Sequence, residues 1–135
     1  MIYLDSSALL KLLFEEPESA ALAQWISERA GSPMVSSELA KVEVIRAARR
    51  LDADVVPAAR VLVSQLDLIP LTSGLIEEAA EAGEPGLRSL AAIHLASALS
   101  IRDDLTAFVA YDRRLTAAAQ ATGIEAISPA PDSLR

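Results

Sequence analysis

The 135-residue chain contains no cysteine, and that absence removes disulfides, thiolate zinc centres and cysteine nucleophiles together. It holds a single histidine, His94, so no site can be built on two imidazoles. Aromatic residues are only 4% of the chain, which leaves Ala, Leu, Val and Ile to fill the core. Glycine-rich phosphate loops are missing: Gly83 and Gly86 flank Glu84-Pro85 and do not fit a P-loop. Basic residues are in the minority, 12 Lys plus Arg against 19 Asp plus Glu. The resulting net charge of −7 argues against non-specific coating of nucleic acid, though not against a small site that meets it through a metal. No basic stretch is followed by an apolar run and cleavage site, and no apolar run reaches the length of a membrane span. The expectation is a soluble, cytoplasmic protein with no membrane partner.

What is present is apolar and helix-prone. The hydrophobic share is 52%, with 26 Ala and 20 Leu, both strong helix formers. A single domain of this length buries roughly 68–70% of its extended surface. Ile2-Tyr3-Leu4 is a short β-prone run closed by Asp5-Ser6-Ser7, all good helix N-caps. Helices are predicted over 8–14, from Pro17 to Arg29, and from Glu38 to Leu51, with a strand at Pro33-Met34-Val35-Ser36 before the last of these. A further helix starts at Asp54 and Pro57 and fades near Leu66. Residues 68–72 are ambiguous between strand and linker. Helices over 73–82 and 87–102 follow, then the continuous apolar run 107–111, which reads as a central strand covered on both sides. A helix over 114–121 and a strand over 124–127 complete a domain spanning 1–128, and the proline-bearing tail 129–135 is expected to fray. Short apolar strands between helices indicate an α/β domain with about four or five mostly parallel strands.

In such folds the functional crevice lies beyond the carboxyl ends of the strands. Two of the clearest strands end in aspartate, Tyr3-Leu4-Asp5 and Ala110-Tyr111-Asp112. If both are central and parallel, these side chains emerge on one edge; Asp5 is equally a good cap and nothing more. Glu43 adds a third acid, because Leu39, Val42, Glu43 and Arg46 share one helix face. A carboxylate on an apolar stripe is unusual, since an ionised group rarely goes inside unpaired; an ion pair with Arg46 or Arg49 is the ordinary alternative. Two like charges about 4 Å apart repel by about 4 kcal/mol at an effective dielectric of 20. If Asp5, Glu43 and Asp112 converge, they require a cation. Oxygen donors without cysteine point to Mg²⁺ or Mn²⁺, and carboxylate-held metals of this kind mostly serve phosphate chemistry.

Leu87, Leu90, Ala91, His94, Leu95, Ala98 and Ile101 fall on one face of the helix over 87–102. His94 on that face reads first as a hydrogen-bonded core histidine, and no Ser–His–acid triad is supported around it. Lys11, Arg46, Arg49, Arg50, Arg88, Arg113 and Arg114 are candidates for backbone phosphate contacts or, equally, for surface pairing with the abundant acids.

Four segments carry a resemblance: 2–9 (IYLDSSAL), Val42-Glu43-Val44, 87–96 (LRSLAAIHLA) and 108–115 (FVAYDRRL). In this order and spacing the chain resembles the PIN-domain ribonucleases, and within them the VapC-type toxins of bacterial toxin–antitoxin pairs. The resemblance implies a three-layer α/β/α fold, a carboxylate-held Mg²⁺ or Mn²⁺ and endoribonuclease activity, often on tRNA or other structured RNA. It also implies a VapB-type antitoxin that blocks the site, and a homodimer. By it Asp5, Glu43 and Asp112 are the acidic site members, with Ser6 and Ser7 as groups behind them.

One letter departs from the pattern. After Leu-Arg-Ser-Leu the family has an aspartate where this chain has Ala91. That removes two ligand oxygens and one negative charge, so metal affinity and the activated water should suffer. A naturally degenerate enzyme and a substitution made to disable a toxic one both suit the same letter. The leading expectation is therefore an RNA-cleaving toxin by lineage, impaired at Ala91. The alternative is a non-catalytic scaffold that binds an antitoxin or RNA. A phosphoryl-transfer domain with Asp5 as nucleophile is poorer, because Ser7 stands where a paired acid would be needed.

Overall fold

Ile2, Tyr3 and Leu4 are each wholly buried, as a strand covered on both faces must be. They form β1 (Ile2–Leu4) at the centre of a five-stranded sheet in a computed structural model that describes residues 1–134. Along the chain follow α1 (Ser6–Leu13), α2 (Ser19–Ser27), β2 (Met34–Ser37), α3 (Glu38–Leu51), a 3₁₀ turn (Ala53–Val55) and α4 (Val56–Ser64). Then come β3 (Asp67–Ile69), α5 (Ser73–Glu81), α6 (Ser89–Leu99), β4 (Ala107–Val109), α7 (Arg113–Ala121) and β5 (Ala126–Ile127). The sheet order is β3-β2-β1-β4-β5 and every neighbouring pair is parallel, giving a three-layer α/β/α domain.

Strand alternation distributes the core between the two layers. Ile2, Leu4 and Val109 pack with Ala8 and Leu9 of α1, Leu22 of α2, Ala40, Val44 and Ala48 of α3 and Ala59 and Val63 of α4. Tyr3, Val35, Phe108 and Ala110 face the other way, onto Leu95 and Ala98 of α6 and Leu115 and Ala119 of α7. The Tyr3 and Phe108 rings, on adjacent strands in register, stack with centroids 5.3 Å apart. Alanine makes up much of both layers, which lets the helices approach the sheet closely.

Four differences from the sequence expectation have local causes. The ambiguous stretch 68–72 begins inside a strand, Asp67–Ile69, which is the edge partner of β2, and is not strand beyond Ile69. The helix expected over 87–102 is shorter at both ends: Arg88 is extended (φ −65°, ψ 150°), and past Leu99 the backbone tightens into turns through Asp104. The strand expected over 107–111 stops at Val109, because the Tyr111 amide bonds to the Ser7 hydroxyl instead of a strand. At the tail, Ser128 Oγ donates to the Ala110 carbonyl and Tyr111 Oη to that of the buried Pro129. The segment set aside as fraying thus begins anchored and continues into a short 3₁₀ turn (Asp132–Leu134); Arg135, also part of that expectation, lies outside the described residues.

Candidate active site

β1 and β4 are hydrogen-bonded neighbours with Leu4 opposite Val109, so the chain leaves both at the same edge of the sheet. Asp5 follows β1 directly. Its amide donates to Val109 O at 3.1 Å, which fixes the backbone, and its Oδ1 accepts from Ala8 N at 2.9 Å and Ser7 Oγ at 2.6 Å. The capping role is therefore real. Asp5 is also only 3% exposed, an unusual depth for an aspartate. Oδ2 takes no hydrogen bond, yet among the described residues no fully buried side-chain polar atom lacks a partner. That second oxygen therefore meets solvent at the strand's end. One oxygen holds the helix; the other faces outward.

Ser7 connects the two strand ends, since its hydroxyl donates to Asp5 and accepts from the Tyr111 amide at 2.9 Å. Ser6 begins α1, and it is Ser7 that touches the acid.

Glu43 occupies α3, but the face it was assigned is not the buried one. The helix turns Ala40, Val44, Ala47 and Ala48 inward, while Val42 is 56% exposed. Small residues make the inner face because α3 lies close against its neighbours. Glu43 sits at the border, and its partner is neither Arg46 nor Arg49. Glu43 Oε1 lies 2.8 Å from His94 Nε2, across α3 and α6. His94 Nδ1 lies 2.7 Å from Tyr3 Oη. An ionised carboxylate only accepts, so Nε2 donates to Glu43. Burial pushes the Tyr3 phenol far above its ordinary range, and the nearby Asp5 and Glu43 charges push it the same way. Tyr3 therefore keeps its proton and donates to Nδ1. The result is a buried Tyr3–His94–Glu43 relay that aims one carboxylate. His94 is a hydrogen-bonded core histidine, as its position on the helix predicts, and its bond to Glu43 ties the core to the site. Tyr3 carried no signal beyond its place one residue before Leu4-Asp5.

Burial also raises the Asp5 carboxyl above the usual carboxylate range. The Ser7 hydroxyl and the Ala8 amide pull it back, and the Glu43 charge adds to the rise. The structure thus brings Asp5 and Glu43 within electrostatic reach of one another. Asp112 it places differently: the side chain is exposed and caps α7, with Oδ1 accepting from Arg114 N at 2.9 Å and Leu115 N at 3.2 Å. It follows the strand next to Asp5 but makes no hydrogen bond to either acid. Among the described residues no group of three or more His, Asp or Glu stands ready to hold a metal ion.

Ala91 lies on α6 one turn before His94 and is 8% exposed. Leu90, expected on the same inward face, is instead 50% exposed; the helix turns Ala91, Ala92 and the run from His94 to Ala98 inward. An aspartate at 91 would set a carboxylate near the helix start, on the element whose His94 already grips Glu43. The two carboxylates that remain match the way Mg²⁺ is usually held, by one or two carboxylates with waters and substrate phosphates. The donor set still fits a hard divalent ion, with fewer oxygens. A cavity of about 510 Å³ lies between α5 and α6 and includes none of Asp5, Glu43 and Asp112.

The fold is that of a known class. The PIN domain family model matches residues 2–121, and the chain belongs to that family. It is 42% identical over 132 residues to Ribonuclease VapC47 of Mycobacterium tuberculosis (strain CDC 1551 / Oshkosh), covering 96% of this chain and 97% of that protein. It is 40% identical over 131 residues to Ribonuclease VapC35 of the same organism, covering 96% and 97%. Among solved structures, Mycobacterium tuberculosis VapC20, described as a sarcin-ricin loop cleaving toxin, superposes with a TM-score of 0.70 at 18% identity, covering 97% of this chain and all of that one. FitAcB from Neisseria gonorrhoeae gives 0.70 at 13% identity, covering 96% and 98%. These two share the fold. Among the described residues no helix is long and apolar enough to cross a membrane.

Proposed function

We propose that this chain is an RNA-cleaving toxin of a toxin–antitoxin pair whose metal site is weakened by Ala91. The observation that carries this is the placement of the buried Asp5 and the His94-held Glu43 at the carboxyl edge of a parallel sheet, in a chain so similar to proteins named ribonucleases. Asp5 Oδ2 and Glu43 would hold a Mg²⁺ or Mn²⁺ ion, with Asp112 contributing from the adjacent strand end. When bound, such an ion supplies an activated water and stabilises charge on the phosphoryl group. The chain's own part is positioning: Ser7 and the Ala8 amide fix Asp5, while Tyr3 and His94 fix Glu43. The cut would be endonucleolytic, in tRNA or another structured RNA, as the family resemblance implies; a site open to solvent at the sheet edge is compatible with it. A VapB-type antitoxin covering this edge and a homodimer of the toxin complete the reading; solved relatives include VapBC-1 of nontypeable Haemophilus influenzae (TM-score 0.66, 16% identity, 95% of this chain and 98% of that one).

The test compares this chain with Ala91→Asp. The restored protein is expected to bind Mn²⁺ at least about tenfold more tightly, since even a partner that only orients a metal ligand is worth roughly 10–100-fold in affinity, and to cleave total RNA when Mg²⁺ is present. Restored protein that binds the ion no better and cuts no RNA would overturn the reading.

A further inference from the structure

A second feature lies beside the acids on the same edge. A cleft of about 390 Å³ is lined by Leu87, Arg88, Asp112, Arg113 and Arg114. Its walls come from two distant segments, the lead into α6 and the first turn of α7. None of the three guanidinium groups has a hydrogen bond or ion pair among the described residues, although the chain carries 19 acids. By contrast Lys11 is held by both Glu16 and Glu18, and Arg29 packs on Trp25. The one acid in the cleft, Asp112, already spends Oδ1 on two backbone amides of its own helix. Three unpartnered cations face one carboxylate in a shared concavity.

We propose that this cleft is a phosphate subsite that grips the RNA backbone beside the phosphodiester to be cut. The assignment rests on the ribonuclease reading above and deepens it. With a net charge of −7, the protein as a whole repels a polyanion. RNA can be held only where cations gather against that field. Guanidinium forks suit phosphate oxygens, two parallel N–H bonds at a time. The position suits the chemistry as well: Arg88 is three residues before Ala91 on the path into α6, and Arg113 and Arg114 follow the strand that pairs with β1 and Asp5. The acids would serve one phosphate and the arginines its neighbour, which sets the register of the strand.

The experiment measures anisotropy of a short fluorescein-labelled single-stranded RNA with the full chain in EDTA, where binding is read without cleavage, across a salt series. Arg88→Gln/Arg113→Gln/Arg114→Gln is compared with Arg46→Gln/Arg49→Gln/Arg50→Gln, which removes equal charge from α3. The cleft variant is expected to lose on the order of tenfold in affinity at low salt. Its slope of log affinity against log salt should fall by roughly 2, about 0.7 for each phosphate contact on a single strand. The α3 variant should lose clearly less. Thermal melts confirm folding, since exposed substitutions of this kind stay within about 0.5 kcal/mol. Equal losses in the two variants, or no loss in the cleft variant, would overturn the subsite and leave the ribonuclease reading standing. Failure of the unaltered chain to bind this RNA at any salt would overturn the subsite, whereas the ribonuclease reading falls only if Ala91→Asp cuts no RNA with Mg²⁺ present.

Discussion

The edge of the sheet carries two charged regions built on opposite terms. The Asp5–Glu43–His94 corner is buried and bonded through to the core: Asp5, His94 and Tyr3 are 3%, 2% and 0% exposed, and both ring nitrogens of His94 are engaged. The Arg88–Arg113–Arg114 cleft is exposed, and among the described residues its three guanidinium groups make no hydrogen bond or ion pair. A group held by the fold cannot be removed without cost to the fold, whereas a group held by nothing can. The corner should therefore respond to mutation as structure and the cleft as a binding surface.

The largest effect belongs to His94→Ala. It opens a cavity between α6 and β1, takes away the acceptor of the Tyr3 hydroxyl and frees Glu43, so a loss of about 3 kcal/mol is expected. The measurement is a urea melt of the variant beside Arg113→Gln, which should stay within about 0.5 kcal/mol of the parent. Near-equal melts would erase the contrast. Tyr3→Phe comes next. It keeps the stack on Phe108 but leaves His94 Nδ1 buried without its donor, at a cost of about 1–2 kcal/mol. Because His94 is the chain's one histidine, its ring ¹⁵N signals report the change alone: the parent should show an Nε2–H tautomer, and Tyr3→Phe should disturb it. An Nδ1–H signature in the parent would reverse the relay as drawn.

Smaller again is Asp112→Ala. The side chain caps α7, and losing such a cap costs about 1 kcal/mol, whereas Asp112→Asn preserves the acceptor and should hold the melting temperature. If Asp112→Asn then lowers Mn²⁺ affinity in the Ala91→Asp background, the charge of Asp112 reaches the ion as well as the helix.

This division explains what was legible in the sequence. Asp5 and Asp112 were visible as acids at strand ends, because strand length, alternation and the parallel-sheet rule are local patterns joined to a general one. Glu43 stood out for the wrong reason: the apolar stripe around it predicted burial beside Leu39 and Val42, while the real core face uses Ala40, Val44, Ala47 and Ala48. Helical periodicity cannot say which of two apolar stripes packs inward when one is built of alanine. The Tyr3–His94–Glu43 relay joins three elements far apart in the chain, and no spacing rule links them. Strand β3, only half buried at the sheet's edge, carried too little hydrophobic contrast to separate it from a linker.

The finest test lies in Asp5 itself. Burial raises its carboxyl above the ordinary carboxylate range, so the folded state favours the protonated form relative to the unfolded chain. The sign follows: the contribution is fully present below the unfolded value and is lost as pH rises through the raised folded one. Asp5→Asn should therefore leave an acceptor for Ser7 and Ala8 in place, remove the buried charge, and raise the melting temperature slightly at neutral pH without metal. The gain should shrink as pH falls toward the ordinary carboxylate range, where the parent's aspartate is neutral too. Divalent ion should stabilise the parent by mass action and the variant less. A variant less stable than its parent at neutral pH, with no ion present, would mean that hydrogen bonding to the charged carboxylate outweighs its burial. The corner would then be assembled for stability as well as for holding a cation.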